Sequence, residues 1–205
     1  EDETFAKALK NADWLVPDGA GVVLASRILG GEIQGRVTGS DIFYGLNRRM
    51  NEKGGMSVFF LGSTQEVLAQ ICERMAKDYP NVKVAGVYSP PFKPVFSPDD
   101  IEQMITAINS AKPDVLWVGM TAPKQERWIY DNLSRLEVTF AAAIGAVFDF
   151  YIGRVKRSHP VFQRFGLEWL PRLVQQPRRL WRRMFISAPM FVWHVMRQKI
   201  GSLKA

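Results

Sequence analysis

Cysteine is nearly absent from the chain. The single residue Cys72 excludes an internal disulfide and leaves too few thiolates for a structural metal cluster. It lies in the apolar-patterned run Leu68-Ala69-Gln70-Ile71-Cys72, which reads as a buried helix position. Histidine is almost as scarce. His159 precedes a proline and His194 sits in an aromatic tail, and both positions suit surface or interfacial residues better than a catalytic base. There is no Asp-x-Asp, the usual carboxylate pair for a divalent ion on a diphosphate; Asp99-Asp100 are adjacent and read as a helix start. A Gly-x-Gly-x-x-Gly turn followed by an acid after the next strand is also missing, which weighs against a dinucleotide enzyme such as an epimerase or dehydrogenase. No apolar run is long enough to span a bilayer, and no secretory signal begins the chain, so a reducing, cytoplasmic setting is expected. No cofactor or metal is expected.

Acidic residues are missing from one region only. Residues 151–205 carry twelve Lys and Arg against the lone Glu168, a surplus of +11, while the first 150 residues sum to −4. The basic character therefore belongs to the tail and describes what the tail touches. A pI of 9.7 raises a nucleic-acid-binding protein as a rival reading, which salt-steep DNA binding would reveal.

What is present is an alternation of strands and helices. Glu3–Lys10 reads as a helix with no strand before it. Trp14–Val16 is a short apolar run stopped by Pro17, with Asp18-Gly19 as a strand-to-helix turn and a helix over Gly21–Leu29 ended by Gly30-Gly31. A helix over Ser40–Lys53, with the stripe Ile42, Phe43, Leu46 and Met50, ends at Gly54-Gly55. Strands follow at Ser57–Leu61, Val82–Val87, Asp114–Val118 and Val138–Ile144. Helices to Asp78, from the Ser97-Pro98-Asp99-Asp100 start to Ala111 and from Pro123 to Leu136 lie between them, and Ser89–Pro94 is a rigid loop. The expected fold is α/β, a Rossmann-like, mostly parallel sheet with helices on both faces and a basic helical C-terminal appendage. The expected domains are 1–152 and 153–205.

Turns at strand ends carry the candidate chemistry. Asp18, with Arg36, Thr38 and Asp41 on the next turn, forms a candidate polar site, although spacing alone favours Asp18 and Asp41 as helix caps. Gly62-Ser63-Thr64 offers amides for phosphate, against the commoner reading of Ser63 as a plain cap. Pro123 suits a first helical turn and sets Lys124 and Gln125 at the sheet's carboxyl edge. Asp149 stands alone among apolar residues, either accepting hydrogen bonds from a ribose or capping a helix.

Several blocks in order resemble the WecG/TagA/CpsF family of bacterial glycosyltransferases. They are Pro17-Asp18-Gly19 with Gly21-Val22-Val23; Arg36-Val37-Thr38-Gly39 with Asp41; Pro123-Lys124-Gln125-Glu126; Gly145-Ala146-Val147-Phe148-Asp149-Phe150; Val155-Lys156-Arg157; and Gly166-Leu167-Glu168-Trp169-Leu170. The resemblance implies transfer of an N-acetylmannosamine-type sugar from a UDP donor to an undecaprenyl-diphosphate-linked acceptor in cell-surface polysaccharide synthesis. It implies Asp18 as the catalytic base, Arg36 and Gln125 in the same pocket, and Asp149 near the nucleotide. It implies Arg172, Arg179 and Arg182 in an appendage that closes over the site. The chain departs from the family at Ser158-His159-Pro160, where Ala-Pro is usual, and at Pro171, where Tyr is common. Family members also begin with a further β-α portion carrying a Thr and an Asn-Pro segment, so an incomplete site is expected.

Arginine can stand in for a metal on a leaving diphosphate, because its planar fork pairs with phosphate oxygens. The expected reaction is therefore a metal-independent, inverting single displacement. The tail from Arg178 to Arg197 sets cations beside Trp, Phe and Met, the pattern of a helix lying on an anionic leaflet, with Arg183 a candidate membrane contact. The expected location is the cytoplasmic face of the bacterial inner membrane. The expected partners are the UDP-sugar, the lipid-diphosphate acceptor and the membrane surface, with no nucleic acid; a homo-oligomer is compatible with this reading.

Overall fold

The computed structural model describes residues 2–155 and 183–202. The chain divides into two compact units. One comprises Glu1–Leu15 with Gly39–Val155, the other Val16–Thr38 with Lys156–Ala205.

The first unit is a doubly wound α/β layer structure. Its elements are α1 (Glu3–Lys10), α3 (Gly39–Lys53), β1 (Met56–Gly62), α4 (Gln65–Asp78), β2 (Val82–Tyr88), α5 (Pro98–Ala111), β3 (Val115–Gly119), α6 (Lys124–Asn132), β4 (Phe140–Ala143) and α7 (Val147–Tyr151). The four strands pair parallel in the order β2-β1-β3-β4. Alternation along the strands builds two cores. Val58 and Phe60 of β1 and Val115 and Trp117 of β3 face one cluster with Phe43, Met50, Leu68, Ile71, Phe148 and Tyr151. Phe59, Leu61, Leu116 and Val118 face the other, with Met104, Ile108 and Trp128. Both faces of the sheet are covered, which is why β1 and β3 read as continuous apolar runs.

Helix ends follow local chemistry. Ser97 and Asp100 form a reciprocal capping box at α5, with Pro98 in the first turn. Thr64, not Ser63, caps α4, its hydroxyl accepting from the Val67 N–H at 3.4 Å. Ser63 instead takes a left-handed turn at φ 60°. Cys72 is only half-buried; the helical period turns Ile71 into the core and leaves the thiol at its margin.

In the second unit, α2 (Ala20–Leu29) ends in left-handed Gly30. Ser26 and Arg27 fold the following loop back. The Ser26 hydroxyl accepts from the Ile33 N–H, and the Arg27 guanidinium donates to the Gln34 carbonyl. A π-helical turn at Arg183–Ser187 leads into α8 (Ala188–Ser202). Gly21 of α2 faces Phe191 of α8, where a Cβ would lie 3.7 Å from the ring. No described helix is long and apolar enough to cross a membrane.

Candidate active site

The strand order reverses between β1 and β3, so the crevice of this sheet opens at the carboxyl ends of those two strands. Gly62 and Gly119 are register partners there. A Cβ on Gly62 would meet the Gly119 carbonyl oxygen at 2.4 Å, and one on Gly119 would meet the Phe148 ring at 2.4 Å. Only hydrogen fits at either position, so the backbone and the Phe148 ring form a close floor. Beside it a cavity of about 500 Å³ is lined by Thr64, Glu66, Val67, Gln70, Ile152, Gly153 and Arg154. Glu66 is held below its usual carboxylate range by the Thr64 hydroxyl, then by its own helix-terminal amide and Arg154, against a small opposing effect of burial.

Gln125 ties two loops of this edge together. Its side chain is 5 % exposed, and its Oε1 accepts from the Met120 N–H at 3.2 Å and the Gly145 N–H at 3.0 Å. The first amide opens the β3–α6 loop; the second belongs to the β4–α7 turn, where Gly145 has φ 57°. Nε2 donates to Glu126 Oε1 at 2.8 Å. The other oxygen of Glu126 is buried and has no hydrogen-bond donor among the described residues. Gln125 thus acts on the loops around the crevice.

Lys124 reaches the loop after β2. Its ammonium donates to the Lys93 carbonyl at 2.6 Å and lies 3.4 Å from the centre of the Phe96 ring. Burial pushes its pKa down. Asp149 is the third residue of α7, half-buried, while Ala146 is the cap. Val147, Phe148 and Tyr151 of this helix are buried, so the Asp149 carboxylate stands at the margin of the core and is not the helix cap. Asp41 lies in the first turn of α3. That turn sits against the end of β4, since a Cβ on Gly39 would be 3.3 Å from Ile144.

In the second unit the Val37 N–H donates to the Pro17 carbonyl at 3.2 Å. This bond sets Asp18 at one strand of the loop opposite Arg36 and Thr38 at the other. Trp14–Val16 is not a strand: the run is too short to pair, and Trp14 and Leu15 are exposed. Asp18 therefore stands in a tight turn, its N–H donating to Val16, not at the end of a sheet strand. Gly19, with no side-chain bond, occupies the cap of α2. Arg172, Arg179, Arg182 and His159 lie outside the described residues, and His194 is exposed on α8.

Sequence reasoning missed Glu66, Arg154 and the Gly119–Phe148 contact. Thr64-x-Glu66 after a strand was a usable signal. The other groups meet only through the fold.

The chain matches the glycosyl transferase WecG/TagA/CpsF family over residues 1–205. It belongs to that family. A Bacillus spizizenii protein described as N-acetylglucosaminyldiphosphoundecaprenol N-acetyl-beta-D-mannosaminyltransferase is 34% identical over 204 residues, covering 100% of this chain and 76% of the relative. The protein of the same description from Bacillus subtilis is 30% identical over 97% of the chain and 74% of its own length. A Staphylococcus aureus protein, again so described, is 27% identical over 99% and 76%. The chain is accordingly a glycosyltransferase with an α/β fold, and the expectation drawn from the ordered motifs holds.

Proposed function

We propose that this glycosyltransferase moves an N-acetylmannosamine-type sugar from a UDP donor to a lipid-diphosphate-linked sugar, in one inverting displacement that needs no metal. The description shared by its relatives supports the acceptor and the sugar. The observation that carries the mechanism is the Pro17–Val37 backbone bond, which joins the segment of Asp18 before α2 to the segment of Arg36 and Thr38 after it.

In the proposed step the acceptor hydroxyl attacks the anomeric carbon, its proton passes to the Asp18 carboxylate, and the bond to the UDP oxygen breaks. General-base catalysis of this kind contributes about two to four powers of ten. Arg36, with Arg172, Arg179 and Arg182, is assigned to the charge that develops on the departing diphosphate. Thr38 and Asp41 are assigned to hydroxyl groups of the sugars. Asp149 and the crevice floored by Gly62, Gly119 and Phe148 are assigned to the nucleoside. Gln125 is assigned to holding the two loops, and Lys124 to anchoring the loop after β2.

The protein is proposed to work as a peripheral enzyme on the cytoplasmic face of the inner membrane. Exposed Met190, Val192, Trp193, Met196 and Ile200 on α8 support that reading. The test is transfer of labelled sugar from a panel of UDP-sugars to a lipid-diphosphate N-acetylglucosamine. Transfer from UDP-N-acetylmannosamine supports the proposal. Transfer of a different sugar overturns the donor, and transfer only to a lipid-free acceptor overturns the acceptor.

A further inference from the structure

The loop between β2 and α5 holds two large apolar side chains in solvent. Phe92 is 108 % exposed and Val95 is 79 % exposed. Such side chains on a slack loop would fold back onto the unit, but this loop cannot. Pro90, Pro91 and Pro94 fix three φ angles and remove three donors. Its flanks are bolted at both ends. The Ser89 hydroxyl donates to the Ser63 carbonyl at 2.7 Å, and Lys124 donates to the Lys93 carbonyl at 2.6 Å. Lys93 in turn donates to Asp100 at 2.6 Å, and Lys124 covers the Phe96 ring. The tip between these anchors is a stiff, exposed knob.

We infer that this knob is a membrane-contacting wedge: Phe92 and Val95 enter the headgroup and acyl boundary of an anionic bilayer. The inference rests on the proposed lipid-linked acceptor. Two observations favour a bilayer over a second copy of the chain. From Ser89 to Pro98 there is no acidic residue, and Lys93 neutralises Asp100 behind the tip, so nothing on the loop opposes an anionic leaflet. The loop also leaves the carboxyl end of β2, the same sheet edge as Thr64, Met120 and Gly145. An enzyme whose acceptor is tethered in a bilayer needs that edge near the lipid. The wedge supplies a contact on the first unit itself, separate from α8.

The test labels position 92 in the full chain. Cys72 is replaced by Ser, Phe92 by Cys, and an environment-sensitive nitrobenzoxadiazole dye is attached. A control carries the dye at Ser134, on the turn before β4 at the opposite sheet edge. With phosphatidylglycerol vesicles, the dye at 92 should brighten, shift to the blue and be quenched by brominated acyl chains, while the dye at 134 stays aqueous. The unlabelled double variant F92S/V95S should melt as the parent does, because both side chains are exposed. It should partition to vesicles about tenfold more weakly, and keep its turnover on a short, water-soluble acceptor. The inference is overturned if the dye at 92 stays aqueous on vesicles that the protein binds, if the protein binds no vesicles, or if F92S/V95S partitions like the parent. Self-association that F92S/V95S abolishes also overturns it, in favour of a second copy. Insertion at 92 in an enzyme that uses only lipid-free acceptors would leave the wedge standing and sink the acceptor reading.

Discussion

Gln125 shows how a polar site residue can act without touching substrate. Its single oxygen satisfies two half-buried backbone amides on neighbouring loops, and losing an acceptor from such N–H groups costs up to about 1–3 kcal/mol, the figure for full burial. Gln125→Met should lower the melting temperature and raise the donor KM, measured by calorimetry and steady-state kinetics. Gln125→Glu keeps the oxygen but sets a second carboxylate against Glu126. Like charges at that distance repel, so this variant too should melt below the parent. Gly119→Ala drives a Cβ into the Phe148 ring. Overpacking of this kind costs about 1–3 kcal/mol, and Phe148→Leu should return part of it. For the proposed base, Asp18→Asn should reduce turnover by about two to four powers of ten with UDP affinity nearly intact; parental turnover would remove Asp18 from the mechanism. Asp100 belongs to the loop anchor. The Lys93 ammonium, followed by the Ser97 amide and hydroxyl, holds its carboxyl at about 2. Its folded pKa is depressed, so its contribution is present above the ordinary carboxylate range and is lost as pH falls from about 4 towards 2. Asp100→Asn should flatten that acid limb in a pH series of melts.

At the scale of elements, α8 carries apolar side chains around most of its circumference. Phe191 meets α2 and Val195 is buried, but Met190, Val192, Trp193, Met196 and Ile200 remain exposed. The Arg197 guanidinium lies 5.5 Å from the Trp193 ring, the pairing of cation and aromatic that suits a lipid headgroup layer. Truncation after Gln176 removes this helix with Arg179 and Arg182. The first unit keeps both of its cores, so a cooperative melt should survive. Binding to anionic vesicles should fall, and turnover should drop on lipid-linked and soluble acceptors alike. Unchanged vesicle binding would refute the membrane role of α8, and unchanged turnover on a soluble acceptor would refute the arginine assignment.

For the whole molecule, charge is divided by region. A tail surplus of +11 against −4 elsewhere should make vesicle adsorption weaken as salt shortens the screening length, about 10 Å at 0.1 M. Turnover should survive EDTA if arginines hold the diphosphate. Loss on chelation with recovery in Mg²⁺ would overturn that assignment.

The fold was legible in the chain because its signals are local. Continuous apolar strands, helical stripes such as Phe43 and Met50, and stops such as Gly54-Gly55 each act within a few residues. The ordered motifs likewise identified the family. The site was only partly legible, because its chemistry depends on what residues meet across the chain. Sequence placed Asp18 after a strand, but three apolar residues before a proline cannot form a ladder, and the Pro17–Val37 bond helps to set the turn it stands in. Sequence put Lys124 and Gln125 at the sheet edge, and they are there. Which groups they would satisfy depended on Lys93 and Gly145, respectively thirty-one and twenty residues away. A residue's type fixes what it can donate or accept. Only the tertiary structure decides which partner takes it, because burial leaves a polar atom no alternative to the neighbour the packing supplies.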